Sequence, residues 1–272
     1  MAGTFVFIHG TGEQHHAARR AEIRAQLDAH PRFAGFDYVG VPWDELAPKV
    51  IDVASALPER YSVEGAASVP ADRAIEEFAN EFYRDAAATR QQGFVQDVAL
   101  RILTDAIEKY RLPLTNLTAD LLRNVIFYLR HGAAVREFTW RHVQKADQRG
   151  PVVIVGHSIG GVIAVDLLSG EPNPPSRVDL LVTVGSQAPL LYLMDALESL
   201  RTDDRSRPPF DPWLNVFNPR DPLAFRAGEV FAWSPTPPVD TVLDEPRNLP
   251  ESHSGYFSEP RLYDAIARQL ST

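Results

Sequence analysis

Residues 151–169 constrain the fold more than any other stretch of the chain. They read Pro-Val-Val-Ile-Val, then Gly156-His157-Ser158-Ile159-Gly160-Gly161, then Val162-Ile163-Ala164-Val165-Asp166-Leu167-Leu168. The β-branched run predicts a buried strand, and the apolar stretch after the turn predicts a helix. A turn this tight leaves no room for a Cβ where strand and helix meet, which is why Gly156 and Gly160 flank Ser158. The serine is then carried to the C-terminal end of its strand with its hydroxyl expected to be exposed. The N–H of Ile159 points towards the same spot from a helix N-terminus. A bare G-x-S-x-G arises by chance in roughly one chain of this length in ten, and the strand–turn–helix context makes it rarer by about another factor of ten.

The rest of the chain fits such a strand. Short apolar runs ending in turn residues alternate with stretches of helical period, the pattern of an α/β fold with a mainly parallel sheet. Strands are predicted at 4–8, 37–41, 151–155, 179–184 and 213–217, with a weaker one near 239–243. A polar, Ala-rich helix is predicted at 14–29, and 259–270 places Leu262, Ile266 and Leu270 four residues apart on a final helix. Residues 43–130 carry no convincing strand. Ile75, Phe78 and Phe82, then Phe94, Val98, Ile102, Ala106 and Tyr110, recur at helical spacing. A third helix carries Leu121, Leu122, Val125, Ile126 and Leu129, and a separate helix at 132–148 leads back to the sheet. The expectation is a single domain over 1–272 in which 43–130 is a helical insertion. It would act either as a cap over the cleft, with Phe94, Tyr110, Ile126 and Phe127 as candidate pocket residues, or as a structural or oligomer layer.

Composition narrows the function classes. The formal charge is −9, which argues against nucleic acid or an anionic membrane bound through a broad basic surface. There is no cysteine, so disulfides, thiolate catalysis and cysteine-ligated metals are excluded. His15 and His16 are adjacent and point about 100° apart on a helix, and no H-E-x-x-H spacing exists, so no metal is expected. The N-terminal residues lack the basic and apolar segments of a secretory signal, and no apolar run approaches the ~18 residues of a membrane span. A cytoplasmic protein without a transmembrane segment is expected.

A serine hydroxyl attacking a carbonyl requires N–H donors for the oxyanion that forms. Ile159 supplies one. Phe5-Val6-Phe7-Ile8-His9-Gly10-Thr11-Gly12 is a strand followed by a Gly-rich turn, and the N–H of Thr11 is the candidate for the second. The same turn lacks the Lys-Ser/Thr of a phosphate-binding loop.

An apolar strand ending in His9-Gly10-x-Gly12, followed by Gly156-His157-Ser158-x-Gly160 and then by an acid and a histidine, resembles the α/β-hydrolase superfamily. It is similar in particular to its lipase/esterase-like members. The resemblance covers both ends of the chain but not 43–130. It implies a Ser–Asp–His triad without cofactor, acting on a small-molecule acyl substrate: an ester first, with amide, thioester or acyl transfer as alternatives. A catalytically silent binding module of the same fold is the alternative from another class. The chain starts at the oxyanion strand, so a shortened sheet is implied.

The superfamily order places the histidine after the acid, and His253 is the sole histidine beyond Ser158. It lies in Pro250-Glu251-Ser252-His253-Ser254-Gly255-Tyr256, expected to be a polar loop. For the acid, Asp221 follows the strand 213–217 between Pro219 and Pro222. Asp211, Asp195, Asp244 and Glu245 are its rivals.

Overall fold

A computed structural model describes residues 3–10, 16–47, 123–146, 150–169, 178–245 and 249–270. The chain divides into two compact units, 1–47 with 124–272, and 48–123. Within the first unit, β1 (Thr4–Ile8) leads to α1 (His16–Ala29) and β2 (Asp37–Val41), and a 3₁₀ turn, Trp43–Leu46, follows. Residues 123–143 form α2. Then come β3 (Val152–His157), α3 (Ile159–Ser169), β4 (Leu180–Val184), α4 (Ala188–Leu193), β5 (Trp213–Phe217) and β6 (Val239–Val242). The chain closes with α5 (Leu249–Ser254), a 3₁₀ turn Gly255–Ser258, and α6 (Pro260–Gln269).

The six strands form one sheet in the order β2-β1-β3-β4-β5-β6, and every pairing is parallel. This is the architecture of a shortened α/β-hydrolase fold. The central strands are apolar on both faces because helices cover both. Val6 and Ile8 of β1 and Val152 and Ile154 of β3 face a core shared with Val162, Val165 and Leu168 of α3 and Tyr128 and Val135 of α2. Their neighbours Phe5, Phe7, Val153 and Val155 face the other core, with Ile23 and Leu27 of α1 and Leu262 and Ile266 of α6. The edge strands β2 and β6 lack this double burial, which is why β6 reads weakly in the sequence.

One helix runs unbroken through residues 123–143, where the sequence pattern suggested two separate helices. Gly132 and the polar residues around it interrupt the apolar period but not the backbone. On this helix Ile126 is exposed and Phe127 packs against the core. Phe94 and Tyr110 lie outside the described residues. Among the described residues no helix is long and apolar enough to cross a membrane.

Candidate active site

Parallel pairing puts the C-terminal ends of all six strands at one edge of the sheet. The chain leaves β1 for β2 on one side and later returns to β3 on the other, so the strand order reverses between β1 and β3. A crevice at such a reversal is where open α/β sheets bind ligands. His9 and Gly10 follow β1 there, and Ser158 follows β3.

Ser158 has φ 54°, in the left-handed region that costs a side-chain-bearing residue about 1–3 kcal/mol. The turn is fixed on both sides. The Ser158 N–H donates to the Val184 carbonyl at 3.0 Å, and its own carbonyl accepts from the Gly161 N–H at 2.9 Å. A Cβ on Gly156 would stand 2.5 Å from the Gly160 carbonyl oxygen, and one on Gly160 would stand 2.1 Å from that of Ile8. Ile159 is the first residue of α3, so its N–H has no acceptor within the helix. Gly10 packs against the serine so closely that a Cβ there would come within 2.8 Å of the Ser158 Cβ. Thr11 and Gly12 lie outside the described residues.

The hydroxyl of Ser158 is not exposed as expected: the residue is 1% accessible. Gln187, two residues beyond Gly185 at the end of β4, lies over it, with its amide nitrogen 3.4 Å from Oγ. That amide donates to the Leu223 carbonyl at 2.8 Å, which holds the side chain in place. Among the described residues no hydrogen bond links Ser158 to His253.

His253 and Asp221 are directly joined, Nδ1 to Oδ2 at 2.9 Å, with the carboxylate fully buried. Asp221 emerges from the turn after β5, and its Oδ1 accepts the Leu223 N–H at 2.9 Å. Its Oδ2 also accepts the Tyr256 hydroxyl at 2.7 Å, while the Asn218 N–H donates to that hydroxyl at 2.9 Å. Burial first, and then the adjacent Asp221, push the Tyr256 phenol well above its ordinary range, so it stays protonated. His253 is not on a loop: it sits on α5, a short helix whose mixed polar sequence shows no apolar period. His157 steadies that helix, donating from Nε2 to the His253 carbonyl at 2.8 Å. Burial, followed by proximity to His253, holds His157 well below the ordinary histidine range, so this ring is neutral.

The rival acids are engaged elsewhere. Asp195 pairs with Arg201 at 2.9 Å, Asp244 with Arg220 at 2.5 Å, and Glu245 with Arg261. Asp211 is exposed and precedes β5, at the opposite edge of the sheet.

Several residues of the site carry no motif. Gly185, at φ 57°, leaves the space that Asp221 and His253 occupy: a Cβ there would stand 2.9 Å from Asp221 Oδ2 and 3.4 Å from His253 Nδ1. Trp43 and Asp44 brace the loop after β1. The Trp43 indole donates to the His9 carbonyl at 2.8 Å, and Asp44 meets His9 Nε2 at 3.0 Å. A glycine ending the apolar run 180–184 at the sheet edge that carries Ser158 was the available signal for Gly185. For Trp43 and Asp44 it was their position directly after a strand.

No protein-family model matches the chain, and no curated protein matches it. Among solved structures it is similar to a methylesterase from Arabidopsis, at 17% identity over 99% of this chain and 99% of that one, with a TM-score of 0.44. It is similar to a dienelactone hydrolase from Anabaena variabilis at 14% identity, covering 98% of this chain and 87% of that one, with a TM-score of 0.41. RedJ, with a PEG molecule bound in its active site, gives 14% identity, 100% and 90% coverage and a TM-score of 0.41. Likenesses of this order carry no information on activity.

Proposed function

We propose that the chain is a serine hydrolase of carboxylic esters, with Ser158 as nucleophile, His253 as base and Asp221 as the acid that orients it. The observation that carries this is the buried Asp221–His253 pair, 2.9 Å apart, at the sheet edge where Ser158 occupies a left-handed turn. Asp221 accepts from Nδ1 of His253, which leaves Nε2 as the atom that takes a proton. Ser158 attacks the acyl carbonyl, its proton passes to His253, and the N–H groups of Ile159 and Thr11 hold the oxyanion. His253 then returns the proton to the departing alcohol. A water activated by the same ring hydrolyses the acyl-enzyme.

The contact between Ser158 and Gln187 favours a second reading, a silent binding module whose serine is engaged by an amide rather than by the histidine. Catalysis requires the hydroxyl to leave Gln187 and reach Nε2 of His253. Labelling with a fluorophosphonate, together with turnover of p-nitrophenyl acyl esters, separates the two. The expected result is labelling and hydrolysis in the wild type, both abolished in a folded Ser158→Ala protein, with a loss of turnover on the order of 10⁶-fold. Equal activity in that variant would discard the assignment.

A further inference from the structure

We propose that the cleft beside His253 binds a carboxylate carried by the substrate, with Arg20 as its counter-charge; this rests on the ester-hydrolase function proposed above. A cavity of about 920 Å³ opens between α1, the C-terminal half of β2 and the His157–His253 pair. That volume suits a small organic molecule. Among the described residues its charged lining is Arg19, Arg20 and Glu22.

Arg19 and Glu22 cancel each other. Arg19 pairs with Glu22, donates to the Ser254 carbonyl at 2.8 Å and lies 4.9 Å from the Phe257 ring centroid, so it serves to tie α1 to the segment bearing His253. Arg20 is placed differently. It is exposed, its guanidinium stands 5.7 Å from the centroid of the Tyr38 ring, and among the described residues it pairs with no carboxylate. Among the described residues the cleft therefore carries one uncompensated positive charge, on a protein whose formal charge is −9.

Tyr38 adds a neutral donor to that charge. Burial pushes its phenol up to about 12 although Arg20 and Arg19 pull it down, so the hydroxyl keeps its proton at neutral pH. The ring has room because residue 40 is glycine, where a Cβ would stand 3.3 Å from Tyr38 Cε1. A guanidinium and a phenol facing one cavity, with the candidate base on its wall, suit a carboxylate by charge and by hydrogen bonding. A neutral acyl chain would use neither.

The test compares esters matched in size but differing in charge: p-nitrophenyl hemiglutarate against p-nitrophenyl pentanoate, and 4-acetoxybenzoate against 4-acetoxytoluene. The first pair carries the carboxylate on the acyl side and the second on the leaving side. One anionic ester of the two should show the higher kcat/KM. Arg20→Ala should lower that value by roughly five- to tenfold with the neutral ester unchanged, and Arg20→Lys should restore part of it. Added salt should erode the preference. Calorimetric titration of the intact protein with glutarate supplies a readout independent of turnover, and binding should weaken by a similar factor in Arg20→Ala. Absence of ester turnover with Arg20-dependent glutarate binding would sink the hydrolase function and leave the anion site standing. No charge preference in either pair, or glutarate binding that is absent or indifferent to residue 20, would overturn the inference.

Discussion

Replacing Tyr256 with Phe removes one oxygen from beneath the candidate acid and leaves the ring in place. That oxygen makes two hydrogen bonds, donating to Asp221 Oδ2 at 2.7 Å and accepting from the Asn218 N–H at 2.9 Å. Tyr256, Asp221 and Asn218 are each 3% accessible, so water does not readily replace it. A hydrogen bond to a charged group contributes about 1.5–3 kcal/mol, and a buried N–H left without an acceptor costs about 1–3 kcal/mol. The two effects share one atom and partly overlap, so a destabilisation of about 3 kcal/mol is expected. For a chain of this size that corresponds to a fall in Tm of roughly 6–12 °C. Urea unfolding followed by tryptophan fluorescence should show a lower midpoint at an unchanged slope. Asp221 keeps its bonds to His253 and to the Leu223 N–H, so turnover should fall by no more than about tenfold, against roughly 10⁴-fold when an acid loses its charge. An unfolding midpoint equal to that of the wild type would refute the claim that this hydroxyl holds the carboxylate.

Gly185→Ala should remove most activity at a modest cost in stability, because its Cβ would stand 2.9 Å from Asp221 Oδ2 at a positive φ; kcat within threefold of wild type in a folded variant would contradict that. Asp221→Asn should cost roughly 10⁴-fold in turnover, while Asp195→Asn and Asp244→Asn, whose partners are arginines at the surface, should leave ester hydrolysis intact. His157 is half-buried and held neutral by desolvation first and then by proximity to His253, so its folded pKa lies below the unfolded value of about 6.5. The unfolded state then binds the extra proton as pH falls. Stability should be fully present above pH ~6.5 and decline below it by up to about 1.4 kcal/mol per unit. His157→Gln should flatten that decline in unfolding measured between pH 7 and 5; an unchanged slope would assign it to other groups.

The parts of this fold legible in the sequence are those decided within a few residues of chain. Val152 to Val155 read as a doubly covered strand because a short run of four β-branched residues, ended by a glycine turn, favours extended backbone, and β1 and β4 are short apolar runs of the same kind. The turn at Ser158 was equally local, since Gly156 and Gly160 relieve contacts that the turn itself creates. Chain order pointed to His253 and the end of the strand 213–217 pointed to Asp221, but their contact could not be read, because they belong to different elements 32 positions apart. Strand order decided that meeting. The sequence β2-β1-β3-β4-β5-β6 gathers residues 9–10, 158, 185–187, 218–221 and 253–256 at one edge of the sheet. Only there does Gly185 acquire a reason, does Tyr256 find Asp221, and does Gln187 cover the hydroxyl that the turn alone would expose. Arg20 reads in the chain as one more polar residue on a helix face, and folding alone sets it over Tyr38 at the mouth of the cleft. Backbone conformation follows from sterics between neighbours in sequence, whereas a hydrogen bond or a charge acts over a few ångströms of space. Residues far apart in the chain come within that range only when the sheet closes.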